Sequence, residues 1–281
     1  MAVFGVFDGH SGEYVAQYLQ THYANTFCAA FNALESKVDS AHLPPDSGAY
    51  EARVAKIFEE TNAKIDRKLL ENDFERLQKN IKSGIKDLQS FAGSVSVVAV
   101  VMPALHVPGA MQVLISHVGD CRAVLSHDGV AAQLTEDHKA TNKAEKARIE
   151  SQGGTVQNGR VGGALGLAVA RSFGDIVYKN FATCVGHTGD ESAPGGIWSG
   201  NQYVISRPDF HHFIVEETIE FLIMASDGLW DVFECQEAVN FVRKRLLVLK
   251  DAQKVAEELI QKAILRGTQD NTSAIVLVFN Q

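Results

Sequence analysis

Val3-Phe4-Gly5-Val6-Phe7-Asp8-Gly9-His10 is an apolar run that stops abruptly in a carboxylate, a glycine and an imidazole. The same grammar returns further along the chain. Phe221-Leu222-Ile223-Met224-Ala225-Ser226-Asp227-Gly228 is a second strand-like run ending in Asp-Gly, and Val113 to Val118 ends in Gly119-Asp120. Asp270-Asn271 stands directly before the β-rich stretch Ser273 to Phe279. Strands covered on both faces read as continuous apolar runs, and residues at their ends are held rigidly while still facing solvent. Asp-Gly is also a common turn dipeptide, so each acid taken alone reads as turn chemistry. Four acids at strand termini, one followed by an imidazole, would make a hard-oxygen cation site if those termini converge.

Outward from the first run, Gly12 to about Ala33 carries Val15, Tyr18, Leu19 and Phe27 at helical spacing. His42 to Gly48 is a loop by its breakers, and a second helix is expected from about Ala49 to Leu70 on the stripe Val54, Ile57, Phe58, Ile65 and Leu69. Polar residues through Asn80 read as that helix's solvated flank. From Phe91 the period changes. Phe91 to Met102 and Met111 to Val118 are expected to pair antiparallel around a turn within Pro103 to Gly109. Cys121 to Leu125, a hairpin turn at His127-Asp128-Gly129 and Val130 to Leu134 are expected to extend the sheet.

Thr135-Glu136-Asp137-His138 reads as a structural loop, because consecutive side chains rarely face one point. Asn142 to Gln152 is helical with Gly153-Gly154 as its stop. Gly162, Gly163 and Gly166 fit neither phosphate-cradling loop pattern. Asp175 to Tyr203 is polar and Gly-rich, of a length that is usually functional or mobile. The C-terminal third reads as strand (Phe221 to Ala225), helices (Cys235 to Leu247 and Ala252 to Leu265, closed by Gly267) and a final strand. Antiparallel meanders with helices segregated to outer faces give an α+β layered domain.

Composition bounds the function. The 281 residues suffice for one large domain, and a net charge of -8 argues against general nucleic-acid binding. Arg243-Lys244-Arg245 reads as the solvated face of a helix. Cys28, Cys121, Cys184 and Cys235 are widely spaced, as in reduced thiols of a cytoplasmic or nuclear protein. No apolar run approaches a membrane span. Neither nucleic acid nor membrane is an expected partner, and the chain is expected to be a monomer.

Val6 to Gly12, Val118-Gly119-Asp120-Cys121-Arg122-Ala123, Leu167 to Asp175, Ala225 to Asp231 and Asp270-Asn271-Thr272-Ser273 resemble, in order, the signature of the metal-dependent protein phosphatase 2C (PPM) family. Glu136 to Lys139, Glu145 to Ile149 and Gly153-Gly154 match as well. The resemblance spans nearly the whole chain. It implies a four-layer α-β-β-α sandwich, with two central antiparallel sheets flanked by antiparallel helix pairs, over residues 1-281. It also implies Mg²⁺- or Mn²⁺-dependent hydrolysis of phosphoserine and phosphothreonine in proteins.

By that resemblance Asp8 bridges two ions, the Gly9 carbonyl completes one, and Asp227 and Asp270 hold one each. A metal-bridged water attacks phosphorus and His10 protonates the departing alkoxide. Asp120 with Asp227 resembles the ligands of a third ion, near which Val95 stands where the family usually has Thr. Residues of about 176-203 correspond to the family's flap; the substrate-binding residues are left open. The family's usual leading strand, with its phosphate-gripping Arg and a metal-anchoring acid, is not found ahead of Asp8. Where upstream sequence supplies that strand the expectation is a normal enzyme; where the strand is truly absent, the alternative is an inactive phosphatase-like module that binds a phosphoprotein or regulatory partner.

Other phosphatase chemistries lack their signatures: no Cys-x5-Arg occurs, and no Gly-Asp-x-His-Gly with Gly-Asn-His-Glu.

Overall fold

Two apolar strands explain the layering. In Gly93–Pro103, Val98 and Val100 pack among helix side chains while Val97 and Ala99 pack against the opposite sheet. In Ile219–Ala225, Phe221, Ile223 and Ala225 meet a different helix pair while Leu222 and Met224 enter the same inter-sheet core. Both faces of both strands are buried, which is why neither shows apolar-polar alternation.

The computed structural model describes residues 1–35, 47–83, 92–104, 107–163, 166–179 and 202–279. In chain order the elements are β1 (Ala2–His10), α1 (Tyr14–Glu35), α2 (Ser47–Ser83), β2 (Gly93–Pro103), β3 (Met111–Val118), β4 (Arg122–His127), β5 (Val130–Gln133), α3 (Lys143–Ser151), β6 (Val156–Gln157), β7 (Arg160–Val161), β8 (Phe173–Gly174), β9 (Asp209–Ile214), β10 (Ile219–Ala225), α4 (Asp227–Trp230), α5 (Cys235–Leu249), α6 (Ala252–Leu265) and β11 (Ala274–Val278). One antiparallel sheet runs β1-β2-β3-β9, with β8 pairing with the start of β2 on the edge opposite β1, where β3 has ended; the other runs β11-β10-β4-β5. Helices α1 and α2 cover the first sheet and α5 and α6 the second, giving the α+β four-layer sandwich.

The outer layers are pinned by side chains at helical spacing. Val15, Leu19, Tyr23, Phe27 and Phe31 form one buried stripe on α1, and Phe27 stacks on Phe58 of α2 with ring centroids 4.5 Å apart. Burying each such aromatic contributes roughly 1.5–3 kcal/mol. On the other side Val239, Val242, Val255 and Leu259 bring α5 and α6 onto β10. Asn142 caps α3 by accepting from the Ala144 and Glu145 amides.

Two expectations are corrected, and one strand is added. Helix α2 continues thirteen residues beyond Leu70, because Leu70, Phe74 and Leu77 pack with Ile176 and Val177 and Asp73 is buried against Arg76. The strand after Gly119-Asp120 does not extend the first sheet: the chain crosses there, and β4 pairs with β10 in the second. Strand β9, which went unread, pairs with β3 over Asp209 to Ile214. The hairpin at Asp128-Gly129 is found, with Asp128 at φ 49° in the left-handed conformation such turns require. Most of the expected flap, 180–201, lies outside the described residues, as does Cys184.

Candidate active site

The strand termini that carry the four acids meet at one end of the sandwich. Antiparallel pairing of β1 with β2 sets Asp8 opposite Val95 and His10 opposite Gly93. In the second sheet Ala225 faces Ala274, so the turn into α4 lies beside the Asp270–Ser273 connection. That turn is locked: the Ser226 amide donates to the Ser273 carbonyl at 3.1 Å, and the Ser273 amide donates to Ser226 Oγ at 3.0 Å. Gly228 lets the two segments touch, since a Cβ there would sit 2.4 Å from the Asn271 carbonyl oxygen. Asp120 arrives from the end of β3 and is buried.

The electrostatics register the convergence. Burial, then the charges of Asp227 and Asp270, a hydrogen-bonding contact with Asp227 and the charge of Asp120, push Asp8 up to about 7. Burial and Asp227 push Asp120 up to about 6. Asp227 is raised by burial and by the charges of Asp270 and Asp231, with its hydrogen-bonding contact to Asp8 and then the charge of Lys139 opposing. Asp227 Oδ1 is buried and has no hydrogen-bond partner among the described residues. Asp270 is exposed, its Oδ1 accepting from the Asn271 amide at 2.7 Å. A cluster of carboxylates that repel one another, with one oxygen withheld from water and from every donor, fits a divalent cation that takes oxygen ligands.

His10 stands two residues from Asp8, with Gly9 exposed between them. Its Nε2 lies 2.9 and 2.8 Å from the two carboxylate oxygens of Asp175. Burial would lower the imidazole, but the hydrogen bond and charge of Asp175, with Asp8 and Asp120, hold it above its ordinary value. The result favours the protonated ring that a general acid needs.

A second cluster is tighter. His117, His138 and Asp209 each offer a ligand atom within 4.8 Å of the others, and so could hold a metal ion. Most of its atoms are committed already, the exception being His117 Nδ1, which is buried with no hydrogen-bond partner among the described residues. His117 Nε2 bonds the Gly119 carbonyl, His138 Nδ1 accepts from the Gly119 amide, and His138 Nε2 faces Asp209, itself paired with Arg171. The two rings are stacked nearly parallel at 4.1 Å, so their in-plane lone pairs do not converge. Burial and His138 push His117 down to about 3, keeping it neutral. The arrangement ties the β3 end, from which Asp120 projects, to β9.

The sequence reading missed three residues at the site. Lys139 is the cation whose charge acts on Asp120 and Asp227, Asp231 adds its charge to Asp227, and Asp175 holds His10. Asp175 ends Phe173-Gly174-Asp175, another Gly-Asp after an apolar strand residue, and that pattern was the available signal. Asp137, by contrast, is taken up by Arg122 at 2.7 Å, consistent with a structural loop.

The family model described as protein phosphatase 2C matches residues 1–272. A probable protein phosphatase 2C from Arabidopsis thaliana is 32% identical over 285 residues, covering 100% of this chain and 57% of that protein. One from Oryza sativa subsp. japonica is 33% identical over 291 residues, covering 100% of this chain and 58% of that protein. The chain thus spans less than two thirds of the length of these relatives. Among solved structures, a serine-threonine phosphatase 2C from Toxoplasma gondii superposes with a TM-score of 0.71 at 20% identity, covering 99% of this chain and 84% of that one. That likeness bears on the fold.

Proposed function

The chain belongs to the protein phosphatase 2C family, and on that premise we propose that it hydrolyses phosphoserine and phosphothreonine esters of proteins in a metal-dependent reaction. The observation that carries the reading is the gathering of Asp8, Asp120, Asp227 and Asp270, with Asp227 Oδ1 buried and without a hydrogen-bond partner among the described residues. Asp8, the Gly9 carbonyl, Asp227 and Asp270 would hold two Mn²⁺ or Mg²⁺ ions, and Asp120 with Asp227 a third. When bound, such ions supply a water acidic enough to attack near neutral pH and neutralise phosphoryl charge.

The side chains of this chain do the rest. The carboxylates must be ionised to hold cations, and Asp8, held up to about 7 by burial and its acidic neighbours, would give up its remaining proton on binding them. His10, raised and two residues from Asp8, donates a proton to the departing serine or threonine oxygen. Without that proton an alkoxide leaves poorly.

The test is phosphate release from a phosphothreonine peptide by Mn²⁺-loaded protein, with an EDTA arm and an Asp227→Ala control. Turnover lost in both supports the proposal. A metal-loaded protein that releases no more phosphate than Asp227→Ala overturns it, and leaves a phosphoprotein-binding module.

A further inference from the structure

Asp175 is buried, with 1% of its surface exposed, and both of its oxygens face His10 Nε2. It is held in place from every side. Its backbone is left-handed, at φ 52° and ψ 46°, a conformation uncommon for residues with a Cβ, which aspartate tolerates better than most, and it is held there by its surroundings. The enforcement is visible: the Asp175 amide donates to the Ala92 carbonyl at 3.0 Å, and its carbonyl accepts from the Tyr178 amide at 2.9 Å. The Ser172 hydroxyl donates to Asp175 Oδ2.

Below the turn lies a buried ion pair. Lys179 Nζ contacts both Asp66 oxygens, at 2.9 and 2.8 Å, and donates to the Ser172 carbonyl at 2.7 Å. Asp66 in turn accepts from the Gly174 amide at 2.8 Å. Space above the pair is reserved as well. A Cβ on Gly93 would fall 2.1 Å from Asp175 Oδ2 and 2.3 Å from His10 Nε2, so only glycine leaves room for the contact. A carboxylate fixed this tightly can aim a ring.

We propose that Asp175 is the positioning residue of His10: by accepting Nε2–H it fixes the ring's orientation and tautomer and leaves Nδ1 as the nitrogen that faces the leaving group. The inference rests on the reading of His10 as the general acid. Nδ1 makes no hydrogen bond among the described residues, whereas Nε2 is committed to Asp175. In the step, a water oxygen bonds to phosphorus and gives up a proton to solvent as the P–O bond to the serine or threonine oxygen breaks; the electron pair of the broken bond stays on that departing oxygen, and the Nδ1 proton moves to it. The ring ends neutral and Asp175 remains a carboxylate. An Asp that orients a catalytic imidazole without itself gaining a proton is established chemistry in hydrolases.

The experiment compares kcat and KM of the Mn²⁺-loaded protein, His10→Ala, Asp175→Asn and the double variant, on a phosphothreonine peptide and on p-nitrophenyl phosphate. The p-nitrophenolate leaves without a proton, so the ratio of the two kcat losses reads proton donation and is blind to a general loss of folded enzyme. Asp175→Asn is expected to lower kcat on the peptide roughly 10- to 100-fold and on p-nitrophenyl phosphate less than about threefold, with KM little changed. Added to His10→Ala it should cost nothing more on the peptide. Ser172→Ala, which removes one support and leaves the carboxylate, should show the same selectivity at a few-fold scale, and serves if Asp175→Asn does not fold.

Equal losses on both substrates for the Asp175 and Ser172 variants, or a further loss in the double variant, overturn the inference while a selective His10→Ala keeps the acid reading intact. Equal losses for His10→Ala itself overturn the acid reading, and this inference with it.

Discussion

Asp8→Asn should stabilise the metal-free protein while removing its response to metal. Asp8 stands at about 7 rather than the ordinary 3.8. A rise of about three pH units at about 1.4 kcal/mol each gives an upper figure of ~4 kcal/mol. Asp8 is only partly buried, and screening by solvent reduces the figure to ~2 kcal/mol. The sign follows from proton binding. A carboxyl whose folded-state pKa exceeds its unfolded value holds more protons folded than unfolded between about pH 4 and pH 7. The metal-free protein therefore loses stability as pH rises through that window, and above it carries the whole penalty.

An amide at position 8 is uncharged throughout, so the variant escapes the penalty. Thermal melts in EDTA at pH 8 should place Asp8→Asn about 4–8 °C above the parent, at about 2–4 °C per kcal/mol for a chain near this size. At pH 4 the two should nearly coincide. Saturating Mn²⁺ should raise the parent by mass action and leave the variant almost unmoved. A variant that melts below the parent in EDTA at pH 8, or that gains as much from Mn²⁺ as the parent, would refute the reasoning.

Two further substitutions probe the scaffold around the site. Gly93→Ala drives a methyl into the His10–Asp175 contact, and is expected to cost about 1–3 kcal/mol in denaturant unfolding and most of the turnover on a phosphothreonine peptide. Glu145 is buried and pairs with both Arg148 and Arg171, so Glu145→Ala should cost about 3–5 kcal/mol, measured by chemical denaturation. An unfolding midpoint unchanged from the parent would count against either account.

The layers were legible because both core strands are long, apolar and free of breakers, and because Val15 to Phe31 keeps one face. The acids were legible because each ends or begins such a strand. What escaped the sequence reading are features set by tertiary contact. Nothing in Asp209-Phe210-His211-His212-Phe213-Ile214 alternates cleanly, since the strand sits at a sheet edge, half-buried along most of its length and taken up by pairing with β3. The switch of sheets at Gly119-Asp120 leaves no local mark, because a short connection suits a crossover between stacked sheets as well as a hairpin. Asp175 was hidden for a similar reason: its partner is 165 residues away, and only the pairing of β8 with β2 brings them together.

The most direct measurement is anomalous scattering from crystals of this chain grown with Mn²⁺. Density for two ions among Asp8, Gly9, Asp227 and Asp270 is the expected result. Ions bound instead between His117, His138 and Asp209, or none beside Asp8, would contradict the account.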